Sequence, residues 1–456
     1  MTARTPLNVI LSILLVPAGV VCAGAPPMYR VTVLGDYSGD DVYGVRSNRH
    51  GVSTGYLYSD QLSSGSHAFV GDPDGTLQII DISTNGLNLP AAVNDRGVVA
   101  GVFRPDGGTS AGKRLFRYTP GVGCEDLGVL GRNYGEVVDI NNRGEIVGSW
   151  ADAETGNWRA FRYTDDAGWQ VLNDVSLNSN YANDINERGE VVGVAWIGTN
   201  THHAWHWRDG VLTDLGTLGG QWSEAYYINN SGVVVGRSRT ASGEWRAFRW
   251  TETGGMEALP MSPGATSNEA LFVTDSGMVA GVQTVDFERH AFVYSDELGV
   301  VDLDTGFGEA MWDTPDGMNN SGVTVFKTLE PNSYTITPYV YSPEFGLHDI
   351  NDLLDGDPPF VIHEPLHVNN CGEILALSLP AFGHDIDYAI TVLLTPIWPE
   401  DLNRDGNTDL QDFATLQANY GVASGAELSQ GDLDADGDVD AIDATTLIDA
   451  LRTPCR

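Results

Sequence analysis

Between residues 29 and 395 the chain runs in short stretches of alternating apolar and polar positions, punctuated by Asn- and Gly-rich tetrads. A period of two is that of a half-buried β-strand. The clearest unit is Ile140-Asn141-Asn142-Arg143-Gly144-Glu145-Ile146-Val147-Gly148, a tight turn followed by a β-branched run that ends on glycine. Asn tolerates, and Gly favours, the left-handed backbone that such hairpin loops need. The turn glycine recurs at positions 51, 97, 144, 189, 232, 277, 322 and 372, a period of 43 to 50 residues. Two further strand-like phrases accompany each turn. One places His or Arg before a small residue and aromatic alternation, as in His203-Ala204-Trp205-His206-Trp207 and Arg246-Ala247-Phe248-Arg249-Trp250. The other is Asp-Leu-Gly, as in Asp214-Leu215-Gly216-Thr217-Leu218-Gly219-Gly220.

Each period therefore supplies four short strands, the content of one propeller blade. The segment Val31–Gly35 matches the fourth phrase, whereas the last copy ends on Tyr388–Leu393, which matches the third. The N-terminal strand would then complete the final blade. The expected fold is all-β, an eight-bladed β-propeller of four-stranded blades closed by that strand. Seven blades with one copy recruited elsewhere is the alternative. Together the three phrases resemble the bacterial extracellular repeat family called after its His-Ala-Phe motif, over residues 29–395. That resemblance implies an exported β-rich repeat protein and no particular reaction.

After Pro396-Ile397-Trp398-Pro399 the pattern changes. Residues 400–456 hold 13 acidic and 3 basic side chains. Oxygen-bearing residues Asp401, Asn403, Asp405, Asp409 and Asp412 fall at positions 1, 3, 5, 9 and 12 of a loop, with Gly406 at position 6. The spacing returns 31 residues later as Asp432, Asp434, Asp436, Asp440 and Asp443, with Gly437 at position 6. Calcium takes six to eight oxygens, and such a loop wraps one ion, with position 7 (Asn407, Asp438) giving its backbone carbonyl. Two calcium ions are expected. Position 12 is Asp where an EF-hand has Glu, so bidentate chelation requires the next helix to start closer to the ion. A helix should follow each loop, with Leu410, Phe413, Leu416 and Tyr420 on one apolar face and Ile442, Leu447, Ile448 and Leu451 on the other. Folding should depend on the metal.

Loop then helix, twice, resembles a type I dockerin module over residues 400–453, within a C-terminal domain of residues 396–456. Dockerins attach secreted proteins, often polysaccharide-degrading enzymes, to cohesin modules. The resemblance carries the partner contacts to Leu410, Gln411, Ala441 and Ile442. The two pairs are unlike, which puts symmetric dual-mode docking in doubt.

Charge and targeting complete the reading. With 62 acidic against 24 basic side chains the formal net charge is -38, which disfavours nucleic acid. Residues 1–23 read as a secretory signal, with Arg4, an apolar stretch from Leu7 to Val21 and small residues before Ala23. No longer apolar run suggests a transmembrane span. The expected location is extracellular or at a bacterial cell surface. Removal of Cys22 leaves Cys124, Cys371 and Cys455, and their pairing stays open.

No Ser, His and Asp set has nucleophile spacing, and His203 and His206 of His202-His203-x-x-His206 point to opposite faces of a strand. The residue before Ala-Phe is expected to be a structural contact between blades. The blades differ mainly in loops, at 104–114, 256–268 and 326–338, where a glycan ligand could be accommodated. Two functions follow: an exported, non-catalytic binding or assembly protein, or a dockerin-borne polysaccharide hydrolase or lyase with a propeller catalytic domain.

Overall fold

The computed structural model describes residues 26–35, 41–58, 65–84, 86–105, 112–129, 135–172, 178–305, 314–329, 335–356, 358–380, 390–403, 408, 410–433 and 436–451. They fall into two compact units, one of residues 31–342 and 347–394, the other built on 395–456.

The third repeat shows how the phrases become a sheet. Gly135–Ile140, Ile146–Ala151, Trp158–Thr164 and Gly168–Val171 lie side by side in sequence order, each antiparallel to the last. Gly144 closes the first hairpin with φ +83°, and its N–H donates to the Asn141 carbonyl at 2.9 Å. Gly148 ends the β-branched run because a Cβ there would meet the Glu136 carbonyl oxygen at 2.1 Å and the Phe161 ring at 2.8 Å.

The other repeats give sheets of the same order. The fourth and fifth are joined into one eight-stranded sheet by a single parallel pairing of His202 with Trp222. In the last sheet the order is Met28–Val33, Ile390–Ile397, Ile374–Pro380, Phe360–Val368, so the N-terminal strand occupies the fourth place. The unit is thus a propeller-like set of four-stranded sheets. Core layers form between successive repeats: Ala160 and Val147 of the third pack with Ala182, Ile185 and Trp205 of the fourth. Phe69, Phe116, Phe161, Phe248 and Phe292 of the aromatic phrase are fully buried. Burying such a side chain contributes about 1.5–3 kcal/mol, which makes this phrase a main anchor of each sheet.

The residue before Ala-Phe does not bridge repeats as expected. His203 Nδ1 lies 2.8 Å from Asp214, His290 Nδ1 lies 3.0 Å from Asp302, and His67 pairs with Asp81. Arg114 pairs with Asp126 at 2.8 Å. Each partner lies on or just after the fourth strand of the same sheet. The short third-to-fourth connection sets the two phrases side by side, so the pair staples the outer strand to its own sheet. Contacts between repeats come instead from the arginine after the aromatic residue, as in Arg117–Asp165 at 2.6 Å and Arg249–Asp296 at 3.0 Å. The three histidines of the 202–206 stretch each face a different carboxylate, Glu224, Asp214 and Glu190.

In the smaller unit two helices pack together, α1 (Leu410–Asn419) and α2 (Ala441–Ala450). Their shared core is Leu402, Leu416, Val439, Ala444 and Leu447, with Phe413, Leu433 and Leu451 against it. Two residues expected on the apolar face of α1 lie outside that core. Leu410 is 77% and Tyr420 37% exposed. Ile442, expected on the apolar face of α2, is 56% exposed. The core is completed from the loops by Leu402, Leu433 and Val439. Among the described residues no helix is long and apolar enough to cross a membrane.

Candidate functional site

Two places concentrate polar chemistry: the hairpin turns of the repeats, and the acidic loops of the tail. At seven of the eight turns the first residue is a buried Asn, and both ends of its amide are used. Asn141 Oδ1 accepts from the Arg143 and Glu145 amides at 3.0 and 3.1 Å, and Nδ2 donates to the Asn186 carbonyl of the next repeat at 3.1 Å. The same link runs from Asn48 to Asn94 (2.8 Å), Asn94 to Asn141 (3.0 Å), Asn186 to Asn229 (3.0 Å) and Asn229 to Thr274 (2.8 Å). Thr274 has no amide to give, and there the Asp275 N–H donates to Asn320 Oδ1 at 3.0 Å. Asn319 then donates to the Asn369 carbonyl at 2.9 Å, and Asn369 to the Asn48 carbonyl at 2.6 Å, which returns to the first turn. Thr391 Oγ1, on the last sheet, donates to the Val42 carbonyl at 2.6 Å and accepts from the Gly44 amide at 2.9 Å.

These turns enclose a cavity of about 220 Å³. One strand position, two residues before the turn Asn, carries Arg46, Ala92, Asp139 and Asp184 along the chain, then Tyr227, Phe272, Gly317 and His367. Asp139, Asp184, Tyr227 and His367 of this position line the cavity, whereas Ala92 lies in the core. Every one follows a β-bulge in its inner strand, for example between Val137 and Asp139 and between Ala182 and Asp184. The extra residue breaks the period of two, so Val137 enters the core while Asp139 reaches the cavity.

Two of these carboxyl groups, Asp139 and Asp184, act on one another. Burial raises both, and for Asp184 the charge of Asp139 adds to it. Arg46 opposes the rise at Asp139 from 3.7 Å. Burial also pushes the His367 imidazole down to about 3, with the Arg46 cation acting in the same sense, so the ring is neutral. Its Nδ1 lies 3.3 Å from Ser47 Oγ.

None of these residues appeared as a candidate in the sequence reading, which placed variation in the loops. The signal was present: one column of an otherwise regular repeat holds eight side chains of nearly every chemical type. Of the three variable loops, 256–268 is described in full, whereas 106–111 and 330–334 lie outside the described residues.

In the tail, the predicted ligands Asp405, Asn407, Asp409 and Asp434 lie outside the described residues. The rest converge on the helix starts. Asp412 and Asp443, at position 12, are fully buried, and Asp401 and Asp432, at position 1, nearly so. Asp412 Oδ1 accepts the Asn403 amide at 3.1 Å. Asp443 accepts the Leu433 amide on Oδ1 at 2.6 Å and the Asp440 amide on Oδ2 at 2.7 Å. Asp440 caps α2 through the Ile442 amide at 2.6 Å. Carboxylate oxygens of Asp438, Asp440 and Asp443 lie within 4.8 Å of one another, so Asp438 presents its side chain to this cluster. Asp436 Oδ1 accepts the Asp438 amide at 3.0 Å. Asp432 Oδ1 is buried with no hydrogen-bond partner among the described residues. A buried carboxylate oxygen without a donor costs several kcal/mol unless a cation faces it. The donor set is all oxygen, which suits a hard cation such as calcium. Gln411, Ala441, Leu410 and Ile442 are exposed at the helix starts beside these loops.

Paired acidic loops, each feeding a short helix, define a small calcium-loop module of dockerin type. Residues 399–452 match the model of the dockerin type I domain. No curated protein matches the chain. Among solved structures, a prolyl endopeptidase is 13% identical with a TM-score of 0.48, over 74% of this chain and 54% of its own. Prolyl oligopeptidase B from Galerina marginata gives the same values. The β-propeller domain of the Trilobed protease from Pyrococcus furiosus is 12% identical with a TM-score of 0.42, over 64% of this chain and 92% of its own. The chain thus spans about half the length of the two prolyl peptidases, and the likeness concerns the fold alone.

Cys371 is disulfide-bonded. Cys124 is free, its Sγ–H donating to the Ile80 carbonyl at 2.9 Å, and burial raises its thiol to about 11.

Proposed function

We propose that this is an exported, non-catalytic binding protein, held to a cohesin-type partner by its dockerin module. Its larger unit is an eight-bladed propeller of the His-Ala-Phe repeat family, closed by the strand Met28–Val33. The return of the turn links from Asn369 to Asn48 supports closure. Two calcium ions organise the tail, one held by Asp401, Asn403, Asp405, Asn407, Asp409 and Asp412, the other by Asp432, Asp434, Asp436, Asp438, Asp440 and Asp443. The observation that carries the attachment reading is the exposure of Leu410 and Ile442, large apolar side chains at helix starts next to the loops. Such side chains anchor protein interfaces. Titration of the full chain with a type I cohesin, with and without EDTA, tests it. Binding should require calcium and fall at least tenfold in the Leu410→Asp/Ile442→Asp double variant; calcium-independent binding, or none, refutes it.

The second reading is a dockerin-borne carbohydrate-active enzyme, a polysaccharide hydrolase or lyase with a propeller catalytic domain, for which Asp139 and Asp184, both raised by burial, are the candidate acid and base. Incubation with a polysaccharide panel decides between them. New reducing or unsaturated ends, lost in Asp184→Asn, would establish catalysis.

A further inference from the structure

Two neighbouring junctions between repeats are built alike except at one side chain. In the third repeat, Arg162 donates to Glu145 at 2.6 Å and lies over the Trp207 ring of the fourth repeat, 5.2 Å from its centroid. His206 holds the equivalent place one repeat on. Its ring lies 5.4 Å from that of Trp250 in the fifth repeat, and its Nε2 faces Glu190, the counterpart of Glu145, at 3.9 Å. That distance is too long for a hydrogen bond. His206 is 6% exposed, and its Nε2 is buried with no hydrogen-bond partner among the described residues. A permanent cation at one junction is thus a buried, titratable ring at the next.

The charges around His206 balance without it. Arg188 donates to Glu190 at 2.7 Å, and Arg208 pairs with Glu190 at 3.6 Å and with Glu252 at 2.6 Å. These two cations and two carboxylates are the charged groups that face the ring. A proton on His206 would bring a third cation to a carboxylate already shared by two. Burial lowers the ring's basicity in the same sense, with Arg208 and Arg188 adding to it against the pull of Glu190 and Glu252. Glu190 also links the ring to the turns. Its Oε2 accepts from Asn186 Nδ2 at 2.7 Å, the same amide that donates to the Asn229 carbonyl at 3.0 Å, and Asn186 lines the central cavity.

We propose that His206 is a proton-sensitive joint between the fourth and fifth repeats, closed while the ring is neutral and loosened by acid, and that it acts on the cavity rim through Glu190 and Asn186. The closed joint is favoured in full above the ordinary histidine pKa of about 6.5, and the preference is lost as pH falls below it. At pH 5.5 a ring that titrates normally once the joint opens favours opening by up to about tenfold more than at pH 7.5. The junction made by Arg162 has no such group at this place and should not respond. Neither the cohesin attachment nor a catalytic role is needed for the joint to work.

Hydrogen exchange by mass spectrometry on the full chain in calcium, at pH 7.5 and 5.5 with the intrinsic pH dependence divided out, reads both junctions in one sample. The Arg188 and Glu190 amides, each held by Asn186 Oδ1 at 3.0 Å, should exchange about three- to tenfold faster in acid. The Arg143 and Glu145 amides, held in the same way by Asn141, should not. The acid gain should vanish in His206→Gln. It should also vanish in His206→Arg/Arg208→Thr, which copies the Arg162 and Thr164 of the third repeat. Circular dichroism and thermal unfolding at pH 7.5 show which variants are folded. The proposal is overturned if the two junctions of the parent respond alike, or if the gain survives in either folded variant.

Discussion

Replacing Asn369 by Ala removes the last link of the turn-to-turn chain. The Cys371 and Glu373 amides each lose an acceptor at 3.0 Å, and the Asn48 carbonyl, in the first turn, loses a donor at 2.6 Å. An orphaned buried group costs about 1–3 kcal/mol, and water at the turn rim offsets part of that for the two amides, so about 3 kcal/mol is expected. Asn141→Ala removes an equivalent set and should cost the same within about 1 kcal/mol. The two differ in where the loss is felt. Gly51 and Val52 are held by Asn48, through its carbonyl and its Oδ1. In Asn369→Ala their amides should exchange about 100-fold faster although they stand more than 300 residues from the substitution. In Asn141→Ala the acceleration should stay near 141–146 and 186–190. Hydrogen exchange by mass spectrometry, with urea unfolding for the total, measures both. Unchanged protection at Gly51 and Val52 in Asn369→Ala would refute the reasoning that the chain of turns is closed.

Thr274→Asn restores the missing donor toward the Asn319 carbonyl and should stabilise by about 1 kcal/mol in urea unfolding; a loss would mean the sixth turn is built differently. Asp443→Ala should cut the calcium stoichiometry by calorimetry from two to one, because both its oxygens hold the second loop to α2; unchanged stoichiometry counts against the assignment. EDTA should abolish the helical circular dichroism of the tail, and retention of that signal in excess chelator would show that the fold does not need metal. His367 is held neutral, so its contribution to stability is full above the ordinary histidine pKa near 6.5 and is lost as pH falls toward about 3. From pH 6.5 to 5 that amounts to at most about 2 kcal/mol, nearer 1 once water in the cavity is allowed for. His367→Gln should therefore lose about 1 kcal/mol less than the parent between those pH values; equal losses would argue against a neutral buried ring.

Much of this molecule could be read from its residues because repetition multiplies weak signals. One Asn-Asn-x-Gly is a turn; seven more turns of its kind, 43 to 50 residues apart, predict the sheets, and the tail's oxygen spacing pointed to the dockerin type I module that residues 399–452 match. Three things escaped. The His-Ala-Phe and Asp-Leu-Gly phrases were legible as strands, but their pairing within a sheet depends on a short connection whose register only coordinates reveal. The solvent-facing place of Leu410 and Tyr420 was hidden because a face drawn on an isolated helix cannot know that Leu402, Leu433 and Val439 fill the core from the loops. The cavity was missed because the bulge shifts the strand phase by one, so period-two counting assigns Asp139 and Asp184 to the wrong side.

That phase shift has a consequence for how such a protein changes over time. The turn Asn, the buried aromatic residue and the stapling His or Arg tie each repeat to the common frame, and a substitution there is felt by its neighbours. Where the residue after the bulge lines the cavity, at Asp139, Asp184, Tyr227 and His367, it is released from those obligations. A lineage that duplicates repeats thus acquires adjustable positions around one cavity, and can exchange what faces it by single substitutions without rebuilding the frame. For an engineer the same four positions are a compact library, whereas Ala92, in the same column, is bound into the core.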